Sequence, residues 1–158
     1  MRFARRSFNR MLFIERLFET AGLPGLNKAE VDKKLGIHEG WRYASGNALP
    51  RFGSITKLAL VGGVLPDYLL GLVDVKMPVR KRSFPEGKFV FCARLQRRMR
   101  ELVLSQVELS ILTSISQDTI NDYYNGYSLP NAEMLFRLCI GLDCPASYLL
   151  GFIDERGK

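Results

Sequence analysis

The sequence is poor in the residues that most catalysis and metal binding require. Its single histidine, His38, leaves no Ser-His-Asp triad other than one built on itself, no His-pair metal site and little acid-base capacity near neutral pH. Three cysteines, Cys92, Cys139 and Cys144, are an odd number without CxxC spacing, which argues against a disulfide framework or a zinc knuckle. A reducing cytosol is their simplest setting, with the thiols buried. The longest apolar stretch, Leu58 to Leu65, contains Gly62 and Gly63 and falls far short of the roughly 20 residues that span a bilayer. No phosphate-cradling glycine loop, paired-acid site or nucleophile-base pair emerges, so no enzyme, cofactor, metal or small-molecule ligand is expected. The Arg-rich start, MRFARRSFNRMLF, lacks a long apolar core and soon meets Glu15 and Glu19, and reads as part of the fold rather than a leader.

What is present is an ordinary globular mix: 158 residues, 47% hydrophobic and 25% charged. Lys and Arg number 23 against 16 Asp and Glu, a net charge of +7 that favours a polyanionic partner. The excess is uneven. Residues 1–74 hold 11 basic and 7 acidic side chains, residues 75–88 hold 5 and 1, and residues 89–158 hold 7 and 8.

The chain also repeats itself. Gly46, Leu49, Pro50, Leu58, Tyr68, Leu69, Leu70, Gly71 and Asp74 recur 80 residues later as Gly126, Leu129, Pro130, Leu138, Tyr148, Leu149, Leu150, Gly151 and Asp154. Upstream the offset is 78, pairing Leu26, Asn27 and Glu30 with Leu104, Ser105 and Glu108, so the first copy is two residues shorter between Ile37 and Gly46. Between the copies, VKMPVRKRSFPEGK has the prolines and cations of a linker.

The spacing predicts short helices and no strands. Phe91, Leu95, Met99 and Leu102 recur at helical spacing, with Arg94, Arg97, Arg98 and Arg100 on other faces, either solvated or approaching a polyanion. Ser105 and Glu108 form a capping box opening a helix with Leu109 and Leu112 inward. Thr113-Ser114-Ile115 makes a turn whose Ile plugs between helices. Ser116 caps a helix from Gln117 to Asn125, with Ile120 and Tyr123 inward and Gly126 as its stop. Asn131 caps the next, with Met134, Leu135, Leu138 and Leu142 inward, and Pro145 suits the first turn of a last helix.

Residues 104–151 resemble the lambda-repressor and Cro-like, XRE-type helix-turn-helix family. The resemblance is carried by Ser105-Gln106, small Ser110, Ile115, Ile120, Asn125-Gly126, Pro130 and the closing Tyr148-Leu149-Leu150-Gly151. The first copy is similar but degenerate: Asp32 stands in place of Ser110, Gly40 in place of Ile120, and HEGWRYASG is two residues short. The resemblance implies an all-α protein of two tandem five-helix units, residues 1–74 and 89–158, joined by a basic linker at 75–88. It implies a non-catalytic, cytoplasmic, nucleoid-associated transcriptional regulator, a repressor of bacterial, phage or mobile-element type. Its partner would be duplex DNA, bound by one chain or a homodimer and away from membranes.

Carried over by position, Gln106 meets phosphate or a base, and Ser116, Gln117, Asp118, Asn121 and Asp122 form the exposed recognition face. Gln117 and Asn121 suit adenine edges. Against this, the helix has two aspartates and no cation, and its polar positions can equally be solvated. In the first copy Lys28 and Arg42 are candidate contacts. Tyr43 is expected inward like Tyr123, Trp41 is read as packing or a partner contact, and His38 as a cap or surface residue. Arg80, Lys81 and Arg82 form either a groove-entering arm or a solubilising tether. The alternative function is a non-catalytic protein-interaction or dimerisation module, antirepressor- or antitoxin-like, on the same scaffold.

Overall fold

The computed structural model describes residues 6–79 and 87–154, and every described regular element is helical. The helices are α1 (Arg10–Ala21), α2 (Lys28–Leu35), α3 (Trp41–Ala44), α4 (Phe52–Gly62), α5 (Pro66–Leu70), α6 (Gly87–Glu101), α7 (Gln106–Thr113), α8 (Gln117–Asn125), α9 (Ala132–Leu142) and α10 (Ala146–Leu149). Pairing between extended segments is limited, among the described residues, to one isolated antiparallel bridge between Val64 and Pro78.

Local chemistry sets most of these boundaries. Asn9, Ser116 and Asn131 each accept a backbone N–H in the first turn of α1, α8 and α9. Asn27 with Glu30 and Ser105 with Glu108 close reciprocal capping boxes on α2 and α7. Each cap contributes about 1 kcal/mol. Pro145 sits one residue before α10 rather than inside it, in extended conformation, and its carbonyl accepts from Tyr148 N–H at 3.1 Å.

One continuous apolar core runs through all ten helices, including Phe13, Leu17, Ile55, Leu58, Leu69, Leu95, Leu135, Leu138 and Leu149. Leu112 departs from expectation: it is 56% exposed, while Leu109 is fully buried. The inward stripe of α7 continues at Thr113, four positions on. The Thr113 hydroxyl is satisfied there by donating to the Leu109 carbonyl at 2.7 Å. Leu102, just beyond α6, is 36% exposed.

The arginines of α6 divide: Arg97 and Arg100 are exposed, whereas Arg94 and Arg98 are half-buried and bonded to carbonyls. Arg94 donates to the carbonyls of Tyr148 and of Ile153, the latter at 2.7 Å, and lies 4.7 Å from the centroid of the Tyr148 ring. Arg98 donates to the Leu142 and Asp143 carbonyls at 2.7 and 3.1 Å, satisfying the open C-terminal end of α9. In α1, Arg16 does what Arg94 does. It donates to the carbonyls of Tyr68 and Val73 at 2.6 and 2.7 Å, and its guanidinium lies 4.2 Å from the Tyr68 ring centroid.

The Arg-rich start belongs to the fold from residue 6 onward: Arg6 pairs with Asp74 at 3.1 Å, and Phe8 packs edge-on to Phe136 at 5.7 Å. Both ends of the segment read as a linker are structured. Residues 75–79 fold back, with Leu65 N–H bonding Met77 O at 2.8 Å and Lys76 paired with Glu19, and Gly87-Lys88 already belong to α6. Arg80, Lys81 and Arg82 lie outside the described residues.

The first five helices pack on the last five through α4 against α9 and α5 against α10. Ala132 N–H donates to Pro50 O at 3.0 Å, and Phe52 meets Phe91 edge-on at 5.2 Å. Burial raises the pKa of Asp67 at this junction, an effect opposed by bonds from Ser147 and the Ala146 amide.

Candidate nucleic-acid interface

The α7–turn–α8 segment is braced from three sides. Within the turn, Ser114 adopts the left-handed conformation at φ 55°. The Ser110 hydroxyl donates to Ile115 O at 2.6 Å, and Ile115 N–H donates to the Thr113 hydroxyl at 3.3 Å. Ile115 is thereby held as a buried plug. From α9, Arg137 donates to Ser114 O and pairs with Glu133, both at 3.3 Å. Gly141 permits this approach, because a Cβ there would lie 2.6 Å from Thr113 Cγ2.

From α6 comes the hold on α8. Tyr123 is buried edge-on to Phe91, with centroids 6.2 Å apart, and burial, aided by Asp122, raises its hydroxyl pKa. Gln96 donates to Tyr124 O at 2.8 Å and the Cys92 thiol to Tyr123 O at 3.4 Å, so α6 satisfies carbonyls in the last turn of α8. Ile120 is fully buried. The opposite face of α8 is thereby fixed outward.

That face carries Ser116, Gln117, Asp118 and Asn121, all exposed, with Asp122 half-buried at its margin. Ser116 is committed to capping: its hydroxyl accepts from Thr119 N–H at 3.2 Å and donates to the Thr119 hydroxyl at 2.8 Å. Asn121 Oδ1 accepts from Asn125 Nδ2 at 3.0 Å, which orients its amide. Gln106, the first residue of α7, is half-buried.

The equivalent stretch of the first five helices differs in kind. Helix α3 is a single turn of four residues, whereas α8 has nine. Gly40 precedes it and is buried; a Cβ there would lie 3.1 Å from Ile37 O and 3.2 Å from Leu35 Cδ1. Asp32 accepts from Trp41 N–H at 2.8 Å, so it has become the acceptor at the head of α3. Lys28 lies with its ammonium 4.1 Å from the centroid of the half-buried Trp41 ring, and exposed Arg42 faces Glu39 at 3.7 Å. Tyr43 points inward, half-buried against the core, and His38 is exposed.

Sequence reasoning missed the second-layer supports Gln96, Arg98 and Arg137, whose polar side chains give no periodic signal. It also missed the apolar outer face of α7 and its approach, where Val103, Val107, Ile111 and Leu112 are exposed by 83, 49, 74 and 56%. Among the described residues, no cluster of His, Cys, Asp and Glu could hold a metal ion, and no helix is long and apolar enough to cross a membrane.

Residues 95–149, from within α6 to the end of α10, match a family model described as helix-turn-helix. No curated protein and no solved structure gives a significant match to the chain.

Proposed function

We propose that this chain is a DNA-binding transcriptional regulator of the XRE type, a repressor that lays α8 in the major groove of duplex DNA. The observation that carries this reading is the exposure of Gln117 and Asn121 on the outward face of α8, within the matched helix-turn-helix segment. Both side chains offer a donor and an acceptor, the combination that pairs with an adenine edge. Asp118 fits a cytosine amine, Gln106 can donate its amide to a phosphate, and Ser116, its hydroxyl committed to Thr119, would contribute its backbone N–H. Lys28, Arg42 and the Arg80-Lys81-Arg82 cluster supply cations for the backbone.

The chain is further read as two helix-turn-helix-derived units, residues 1–74 and 89–158, the first degenerate, with the basic segment 75–88 between them. Support comes from the 80-residue repeat and the matching roles of Arg16 and Arg94, each of which holds two carbonyls and a Tyr ring. A regulator of this kind acts in the cytoplasm on the nucleoid.

The test is selection of binding sites from a random duplex pool at about 150 mM salt, near physiological strength. A recovered motif, weakened by about 1–3 kcal/mol at one position on replacing Gln117 or Asn121 with Ala, is the expected result. One observation favours a second reading, a protein-docking module: the exposed apolar residues Val107, Ile111 and Leu112 beside an acidic α8. Salt-sensitive retention without an enriched motif selects that reading.

A further inference from the structure

We infer that α8 alone reads bases while the α2–α3 corner of the first five helices anchors on phosphates, so that the chain recognises an asymmetric DNA site. This rests on the DNA-binding reading above.

The contact between the two sets of helices is of the self-complementary kind. Helix α4 meets α9 and α5 meets α10, and these are the segments the 80-residue repeat aligns with each other. Asp67 bonds to Ser147, its own counterpart at that offset. Phe91 of α6 packs on Phe52 of α4, and Phe8, leading into α1, packs on Phe136 of α9. A patch that meets its own copy is the signature of two-fold association, achieved here within one chain. The repeat that pairs these segments also aligns α8 with α3, and Gln106 with Lys28.

The related elements do not offer the same chemistry. At 1.5 Å per residue, α8 is about 13 Å long and α3 about 6 Å, too short to follow a groove. Its side chains include no amide, and the backbone around Gly40 leaves no room for the Ile that anchors α8. What the corner does offer is charge. The Lys28 ammonium is steadied over Trp41, and Arg42 stands on the exposed side of α3. The reader lacks such charge: residues 89–158 hold 7 cations and 8 anions, and α8 contributes Asp118, Asp122 and no Lys or Arg. Residues 1–74 hold 11 cations and 7 anions. Displacing counterions from a duplex requires cations at its phosphates, and the first five helices have them where the two-fold relation places a second contact.

The experiment uses the full chain. Site selection identifies the motif, and binding to it is then titrated with salt for the wild type, Lys28→Gln/Arg42→Gln, and Arg42→Gln alone, with helicity checked by circular dichroism. The single variant disturbs only an exposed pair with Glu39 and keeps the test valid if the double variant unfolds. The expected result is a motif without inverted symmetry, and a logarithmic salt slope reduced by about 0.9 for each cation removed, with the motif unchanged. An inverted-repeat motif bound by a single chain, with the stoichiometry read by analytical ultracentrifugation of the complex, overturns the inference, because both copies of one chain then read bases. So does an asymmetric motif whose salt slope is the same in wild type and variants. Absence of any motif overturns the DNA-reading proposal itself, and is thereby distinguished from both.

Discussion

The Asp67 carboxylate of α5 accepts the Ser147 amide at 3.2 Å, and Ser147 is the residue that the repeat aligns with Asp67. A second bond, from Ala146 N–H at 2.6 Å, makes Asp67 the acceptor for the first two amides of α10. A helix start in the last part of the chain is therefore satisfied by a side chain from the first part. Pro145, lacking any N–H, leaves these amides as the first that need a partner.

Replacing Asp67 with Ala leaves two buried amides without an acceptor, and equilibrium urea unfolding should show a loss of about 1–3 kcal/mol. Asp67→Asn retains one acceptor oxygen and should lose less. Its comparison with wild type also reports on pH. Burial raises the pKa of Asp67 in the folded state, so its protonation is linked to stability between the ordinary carboxylate range and the raised value. That contribution is full at acidic pH and is lost as pH rises through the raised value. The stability of wild type minus that of Asp67→Asn should therefore fall as pH climbs from about 4 toward neutrality. A difference that grows with pH would reverse the sign.

Arg94 and Arg16 each tie the carbonyl of a Tyr to one five residues further on. Arg94→Met keeps much of the apolar stem but removes the charged donor from the carbonyls of Ile153 and of Tyr148, the latter keeping the Gly151 N–H at 3.2 Å, at about 1.5–3 kcal/mol for the charged hydrogen bonds lost. Arg94→Lys should rescue little, since both carbonyls bond the planar Nη1 amino group, which a shorter side chain with a freely rotating ammonium does not place or orient in the same way. Thermal denaturation of the pair of variants checks this. Equal melting temperatures for wild type and Arg94→Lys would show that charge alone suffices.

The three thiols should separate by accessibility. Cys139 is fully buried, with burial pushing its pKa well up, and Cys144 is only 4% exposed. Cys92 is half-buried, and its pKa is raised by burial with partial relief from Lys88. A thiol-reactive chromophore should label Cys92 in the native state, and Cys139 and Cys144 only at the rate of unfolding. Rapid labelling of three thiols would contradict the packing of α9 on the core.

What was legible in the sequence was local. The Ser105–Glu108 box, the Ser116 and Asn131 caps and the Gly126 stop are decided by neighbours within four residues, and all are realised. What escaped depends on distant partners. Arg94 and Arg98 read as surface charge because their acceptors, carbonyls of residues 142–153, come close only when α9 and α10 fold over α6. Three-residue spacing from Leu109 predicts Leu112 inward, but the neighbours of α7 select the four-residue stripe ending at Thr113. In the α2–α3 stretch the two-residue deficit and Gly40 signalled a weakened helix. They did not signal that Asp32 would accept from the Trp41 amide or that Lys28 would lie over the Trp41 ring.

The close approach of α9 to α7 gives a paired glycine test. A Cβ at Gly141 would stand 2.6 Å from Thr113 Cγ2 and 3.4 Å from Leu109 Cδ1, so Gly141→Ala must push α7 outward. Overpacking of this kind costs about 1–3 kcal/mol. Because Thr113 also braces the turn before α8, the displacement should weaken sequence discrimination in a DNA-binding assay as well as stability. Gly53, in the first turn of α4, has nothing within 4 Å of its ideal Cβ position and no left-handed backbone. Gly53→Ala should therefore leave binding unchanged and hold or raise stability, by up to about 1 kcal/mol. If Gly141→Ala unfolds at the same urea midpoint as wild type, α7 and α9 can separate at no cost, and the turn is not held by their contact.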